Sequence, residues 1–283
     1  MSDIIQIKNG VSHCTIAPSV GGSIASWVMG DQPMLRRATN AADPLGMASF
    51  PLVPYSNRIA AACFDWDEET FFLQPHKIAA PHAIHGVGWQ RQWLTESQSP
   101  NSVKLYLAHK GDNDWPWPFH AEQEVSVGPD SLRLKLSIRN TAERNLPMGF
   151  GHHPYFDSAG ASLRFDAASF YGASEDGLPI KPEQQTSNTS FGGGREIIGS
   201  HFDNFYGAWS GNALIEWMGR AYALEIISDL PHAVLYTPSN ENYFCFEPVP
   251  HINNALNRSD GDMPIIAPGE SYTASITFRA ILT

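Results

Sequence analysis

Cysteine is scarce. The 283 residues hold three, Cys14, Cys63 and Cys245, odd in number, far apart and without a CxxC spacing. That excludes a disulfide framework and a zinc ribbon and fits a reducing cytoplasm. Basic residues are also few, 18 Lys and Arg against 29 Asp and Glu for a formal net charge of −11, and they cluster nowhere. The electrostatic footprint that grips a nucleic-acid backbone is therefore missing. No run approaches the ~18–20 uninterrupted apolar residues of a membrane span, and Met1-Ser2-Asp3-Ile4-Ile5 lacks the basic-then-apolar order of an export signal. Neither nucleic acid nor membrane is an expected partner. Missing too is a helical pattern: no window of a dozen residues sustains apolar positions at i, i+3, i+4 and i+7.

What the chain has instead is alternation. Leu132, Leu134, Leu136 and Ile138 share one parity while Arg133, Lys135 and Arg139 share the other, the period of a half-buried strand. Val103/Leu105/Leu107, Ala233 to Thr237 and Tyr272 to Phe278 read the same way, rich in β-branched and aromatic residues. Glycine (23) and proline (21) punctuate the sequence at short intervals. Strands without intervening helices predict an all-β fold, a large antiparallel β-sandwich. No repeat, linker or charge asymmetry divides the chain, so residues 1–283 are expected to form a single domain. A hydrophobic share of 42% with 17% charged residues suits a chain that buries a large core without metal or disulfide staples.

Four segments set polar groups among apolar or aromatic neighbours. Asn57-Arg58-Ile59 offers an amide and a guanidinium able to donate several hydrogen bonds to hydroxyl oxygens, or simply a surface arginine in a turn. His82-Ala83-Ile84-His85-Gly86 offers two imidazoles beside a glycine that permits close backbone approach. Their spacing of three suits zinc only on a helix, which the glycines disfavour. In His152-His153-Pro154-Tyr155-Phe156 the proline holds His153 extended, so the two imidazoles point to opposite faces and only one reaches a shared pocket. Histidine takes either protonation state near neutrality, as a proton donor must, although a hydrogen-bonded core histidine reads equally well. The last, Tyr243-Phe244-Cys245-Phe246-Glu247-Pro248, is an apolar strand ending in a carboxylate. By parity Glu247 shares a face with Tyr243 and Cys245, where partial desolvation would raise its pKa toward general-base values; a solvated strand end is the competing reading.

In this order, Asn57-Arg58-Ile59, His85-Gly86, His153-Pro154-Tyr155-Phe156, Asp203 in His201-Phe202-Asp203-Asn204-Phe205, and Glu247-Pro248 make the chain resemble the aldose 1-epimerase (galactose mutarotase) family. The likeness runs from Gly21-Gly22 through Trp117-Pro118-Phe119-His120-Ala121-Glu122 to Pro268-Gly269-Glu270. It implies a β-supersandwich with a sugar on its concave face, Glu247 as general base at the anomeric hydroxyl and His153 as the acid at the ring oxygen. It also implies that Asn57, Arg58, His85 and Asp203 hold a monosaccharide, with no metal and no cofactor. Ring opening, rotation about C1–C2 and reclosure would then exchange the α and β anomers.

Family members often carry a glycine and a basic residue after Asn-Arg-Ile, where this chain has Ala62-Cys63-Phe64. Hexose-6-phosphate mutarotases carry a Gly-Ile-Pro…Phe-Pro-x-Phe-Gly run that Ser49-Phe50-Pro51-Leu52-Val53-Pro54-Tyr55 does not match, which favours an unphosphorylated sugar. A catalytically silent sugar-binding or sensing protein, or a mutarotase for a phosphorylated or otherwise modified sugar, are the alternative readings. A glycosidase would need two carboxyls flanking the bond, and only Asp203 offers itself beside Glu247. Asp112 to Phe119 and Thr186 to Gly194 are candidate substrate-selecting loops, and Trp89, Trp115 and Trp117 could stack on a sugar or belong to the core.

Overall fold

The structure, a computed structural model, describes residues 4–40 and 42–283. Thirteen strands join in one sheet whose pairings are all antiparallel. The four-stranded sheet Ile5–Asn9, Ser12–Ala17, Ser23–Met29 and Gln32–Pro33 packs against it. Helical structure among the described residues is limited to single 3-10 turns, and no helix is long and apolar enough to cross a membrane. The all-β sandwich expected from alternation is what forms.

The alternation sets the core directly. In Ser131–Asn140 the four apolar residues Leu132, Leu134, Leu136 and Ile138 are buried while Arg133, Lys135 and Arg139 are exposed. The strand lies between Phe119–Val127 and Ser271–Leu282, so its leucines pack with Val125 and Ile276 inside one large cluster. Trp27, from the small sheet, reaches that cluster against Phe278, and its indole N–H donates to Ser12 Oγ at 3.1 Å. Burying each such side chain is worth about 1.5–3 kcal/mol, which is how the two sheets are held face to face.

Four strands past the middle of the large sheet matter most. Phe202–Trp217 pairs with His232–Thr237, which pairs with Tyr243–Val249, which pairs with the short edge strand Tyr155–Asp157. Directly opposed residues on antiparallel strands point to the same face. The register therefore draws two rows across the sheet. One is Asp203, Tyr236, Cys245 and Tyr155; the other is Phe205, Val234 and Glu247. Extending the last pairing by two residues places His153 opposite Glu247.

Candidate active site

That extension is realised: His153 Nε2 stands 3.3 Å from Glu247 Oε1. His153 is 8% exposed and Glu247 1%. Phe50 stacks on the His153 ring at 4.8 Å, Tyr155 lies against it at 4.7 Å and His85 meets it edge-on at 5.3 Å. The neighbouring imidazole goes the other way. His152 is fully buried, its Nε2–H donating to Gln123 Oε1 at 3.1 Å and its Nδ1 accepting from the Ser49 hydroxyl at 2.6 Å, and so is a core residue, as the opposite-face reading of the His-His pair expects.

A cavity of about 300 Å³ opens over the pair, lined by Asn57, Arg58, His85, His153, Asp203 and Glu247 among apolar and tyrosine walls. The six residues singled out in the sequence thus converge, although they come from five separate segments. Two of those segments reach the cavity through a small ladder, Arg58–Ile59 against Ala83–Ile84, closed by the His85 N–H donating to the Asn57 carbonyl at 2.9 Å. Asn57 and His85 both lie in the left-handed region, at φ 60° and 61°, a conformation uncommon outside glycine that asparagine and histidine adopt more readily than most residues. Gly86 follows at φ 66°, and a Cβ there would lie 2.3 Å from the Val53 carbonyl oxygen. Only glycine lets this loop fold back so tightly.

Hydrogen bonds orient the remaining groups. The Asn57 backbone N–H donates to His85 Nδ1 at 3.1 Å, so the ring proton of His85 sits on Nε2. The Asn57 side-chain oxygen accepts from Arg58 N–H at 2.9 Å and from Arg58 Nη1 at 3.3 Å. Arg58 Nη2 in turn lies 3.3 Å from Asp203 Oδ2.

Burial dominates the electrostatics. It pushes His153 down to about 3 and His85 well below the usual imidazole range, the latter helped by His153 and Arg58 nearby. Glu247 is raised well above the usual carboxylate range, first by burial and then by the Asp203 charge, with Arg58 opposing. Asp203 is raised by burial and held down by Arg58. Because the charged form of each member of the His153–Glu247 pair is disfavoured, the pair holds one proton between its two partners above about 3 and below the raised Glu247 value, and it titrates as a unit.

His153, Cys245 and Glu247 bring one potential ligand atom each within 4.8 Å of one another, a mixed nitrogen, sulfur and oxygen set of the kind a borderline cation accepts.

Other readings of the sequence need correction. Neither Asp112 to Phe119 nor Thr186 to Gly194 contributes to the cavity wall. Trp115 and Trp117 are pulled into the core against Phe64 and Phe71, and Trp89 packs on Phe50, because large aromatic rings bury more apolar area there than a surface loop offers. The wall is completed by Leu45, Ile78, Ile84, Val234, Tyr155, Tyr236 and Tyr243. Parity with Glu247 already marks Tyr243, and Ala233 to Thr237 already reads as a strand, so two of the tyrosines carried a signal in the sequence. The loop residues Leu45 and Ile78 carried none.

The Aldose 1-epimerase family model matches residues 3–279. The chain belongs to the aldose 1-epimerase family. It is accordingly an enzyme of the isomerase class, a mutarotase by family. Within the family it is 29% identical over 272 residues to the uncharacterised Escherichia coli K12 protein YphB, covering 92% of each chain. It is 27% identical over 160 residues to the E. coli K12 aldose 1-epimerase, across 52% of this chain and 45% of that one. A crystal structure of a candidate aldose 1-epimerase from E. coli K12 superposes with a TM-score of 0.93 at 26% identity over the full length of both chains. The epimerase fold therefore extends over the whole described chain.

Proposed function

We propose that the chain interconverts the α and β anomers of a neutral aldose, with Glu247 and His153 as its acid-base pair. The observation that carries this reading is the 3.3 Å contact between them at the wall of a sugar-sized cavity. The two oxygens that exchange protons in mutarotation, O1 and the ring O5, are bonded to the same carbon, so the groups that serve them must be neighbours too. A glycosidase instead separates its carboxyls by about 5–9.5 Å.

The steps balance with the single proton that the pair holds. Glu247, ionised in the working state, takes the hydrogen from O1 while His153, as imidazolium, gives one to O5. The C1–O5 bond breaks as C1–O1 becomes a carbonyl, and the proton has in effect crossed the pair. Rotation about C1–C2 turns the other carbonyl face to O5. His153 then removes the O5 hydrogen as O5 attacks C1, and Glu247 returns a proton to O1. Each positioned group is worth roughly 10²–10⁴-fold. Glu247 Oε2 is buried without a protein hydrogen-bond partner, a state costing about 1–3 kcal/mol that a sugar hydroxyl would relieve.

Asn57, Arg58, His85 and Asp203 are read as the sugar's holders. His85 Nε2–H and the Arg58 guanidinium donate, Asp203 accepts, and Asn57 fixes both donors through its backbone and side chain. The cavity carries two carboxylates and one guanidinium, itself paired, while burial disfavours the charged form of both imidazoles. That balance favours an uncharged sugar over a phosphorylated one. We read residues 1–283 as one domain acting in the cytoplasm without metal or cofactor. Exchange spectroscopy between α and β anomeric protons of glucose and galactose, with and without protein, tests the activity directly.

A further inference from the structure

Two neighbouring segments bring a third group to the acid-base pair. Cys245 and Glu247 stand two residues apart on Tyr243–Val249, so their side chains leave the same face of the sheet. His153 lies across from Glu247, two residues beyond the pairing of Tyr155 with Cys245. An imidazole nitrogen, the thiol sulfur and a carboxylate oxygen therefore come within 4.8 Å of one another, and all three residues are buried. Proton exchange with a sugar gives Cys245 no task.

The spacing is that of a metal centre. In a tetrahedral zinc centre, nitrogen and oxygen ligands each about 2.0–2.1 Å from the ion stand about 3.3–3.4 Å apart. His153 Nε2 and Glu247 Oε1 are 3.3 Å apart without any ion between them. A thiolate about 2.3 Å from the ion would stand about 3.6 Å from either of them. The 4.8 Å limit on the three atoms leaves the sulfur about 1.2 Å at most to close. Three protein ligands with a fourth, open position is the arrangement in which zinc keeps a water, and the cavity of about 300 Å³ lined by His153 and Glu247 supplies that position and the way in.

Charge and hydrogen bonding point the same way. Glu247 Oε2 is buried without a protein hydrogen-bond partner, which leaves the carboxylate a free acceptor for a cation. A dication bound by one thiolate, one carboxylate and one neutral imidazole is electrically neutral as a unit, so its burial escapes the heavy cost of an unpaired charge. Two protons leave as it enters, one from the His153–Glu247 pair and one from the thiol. Thiolate and imidazole select zinc, cobalt or cadmium, whereas magnesium and calcium take oxygen ligands.

We propose that His153, Cys245 and Glu247 form an inhibitory site for a borderline divalent cation, Zn²⁺ foremost, which enters in place of sugar and ties up both proton-transfer groups. The cation takes no part in turnover. Its binding stands on the geometry of the cluster, and the inhibition rests on the acid-base reading of the pair. Co²⁺ serves as the spectroscopic probe on the whole chain, because a cobalt–thiolate bond gives a near-ultraviolet charge-transfer band. The expected result is that band in the wild type and in Cys63→Ser, which removes the half-buried cysteine elsewhere in the chain, and its loss in Cys245→Ala and Cys245→Ser. The serine variant keeps the side-chain volume and so guards against a hole left by alanine. Zn²⁺ should inhibit anomer exchange of glucose competitively, while Mg²⁺ and Ca²⁺ should not. Cys245→Ala should raise the zinc inhibition constant by at least about 10–100-fold, the cost of disturbing even a supporting partner of a metal ligand, with metal-free kcat/KM near that of the wild type. No thiolate band in the wild type, a band that survives Cys245→Ser, or zinc inhibition that Cys245→Ala leaves unchanged overturns the site. A Cys245-dependent band in a protein that exchanges no sugar when metal-free upholds the site and overturns the catalytic reading instead.

Discussion

His153 Nε2 and Glu247 Oε1 meet at 3.3 Å, two residues beyond the short ladder that pairs Tyr155 with Cys245, Phe156 with Phe244 and Asp157 with Tyr243. Antiparallel register alone puts them opposite one another, and Pro154, between His153 and Tyr155, keeps the backbone extended so that the register continues. Burial then does to both what water would not: it removes the separate charges and leaves one mobile proton between two partners.

Removing either partner should stop the chemistry without unfolding the protein. His153→Asn and Glu247→Gln are each expected to lower kcat about 10²–10⁴-fold with circular dichroism unchanged. His152→Asn should act mainly on stability, by about 1–3 kcal/mol, since it breaks the buried contacts to Ser49 and Gln123. Equal loss of kcat at His152 and His153 would contradict the assignment.

The pH profile should carry the same signature. Activity in kcat/KM needs the one-proton state of the pair, so it should persist toward about 3, where His153 takes up a second proton. It should fall on the alkaline side as pH passes the raised Glu247 value. Asp203 raises that value and Arg58 lowers it. Asp203→Asn should therefore move the alkaline limb to lower pH and Arg58→Gln to higher pH, and shifts of the opposite sign would refute the coupling. In folding stability, the depressed His153 contributes a term that is lost as pH falls from ~6.5 toward about 3. The raised Glu247 contributes one present below ~4.3 and lost as pH rises through its folded value.

The loop after Arg58 offers a stability test. Ala61 and Ala62 take φ 49° and 50°, which costs a side-chain-bearing residue about 1–2 kcal/mol. Glycine relieves that cost but adds about 0.4–1 kcal/mol of unfolded-chain entropy. Ala61 is exposed, so Ala61→Gly loses no packing and should gain about 0.5–1 kcal/mol, a rise of roughly 1–4 °C in Tm. A lower Tm by calorimetry would argue against strain at this turn.

How far the sequence could be read depended on the kind of information each residue carried. Strands such as Ser131–Asn140 were legible because one buried face imposes a period of two. His153 and Glu247 were legible as polar exceptions within such patterns, and the order of five short motifs joined them into one site. The aromatic loop Asp112 to Phe119 misled because proline and tryptophan describe local shape and bulk but not which way a loop folds. The walls from Leu45 and Ile78 were invisible, since they reach the cleft through long-range packing with no local pattern to announce it.

The most direct measurement is the rate of optical-rotation change in freshly dissolved α-glucose and α-galactose, run beside arabinose, fucose and glucose 6-phosphate. The expected result is acceleration proportional to protein concentration with at least one neutral aldose, less with the phosphate ester, and its loss in Glu247→Gln. No acceleration with any of these sugars, or full acceleration by Glu247→Gln, would contradict the acid-base pair.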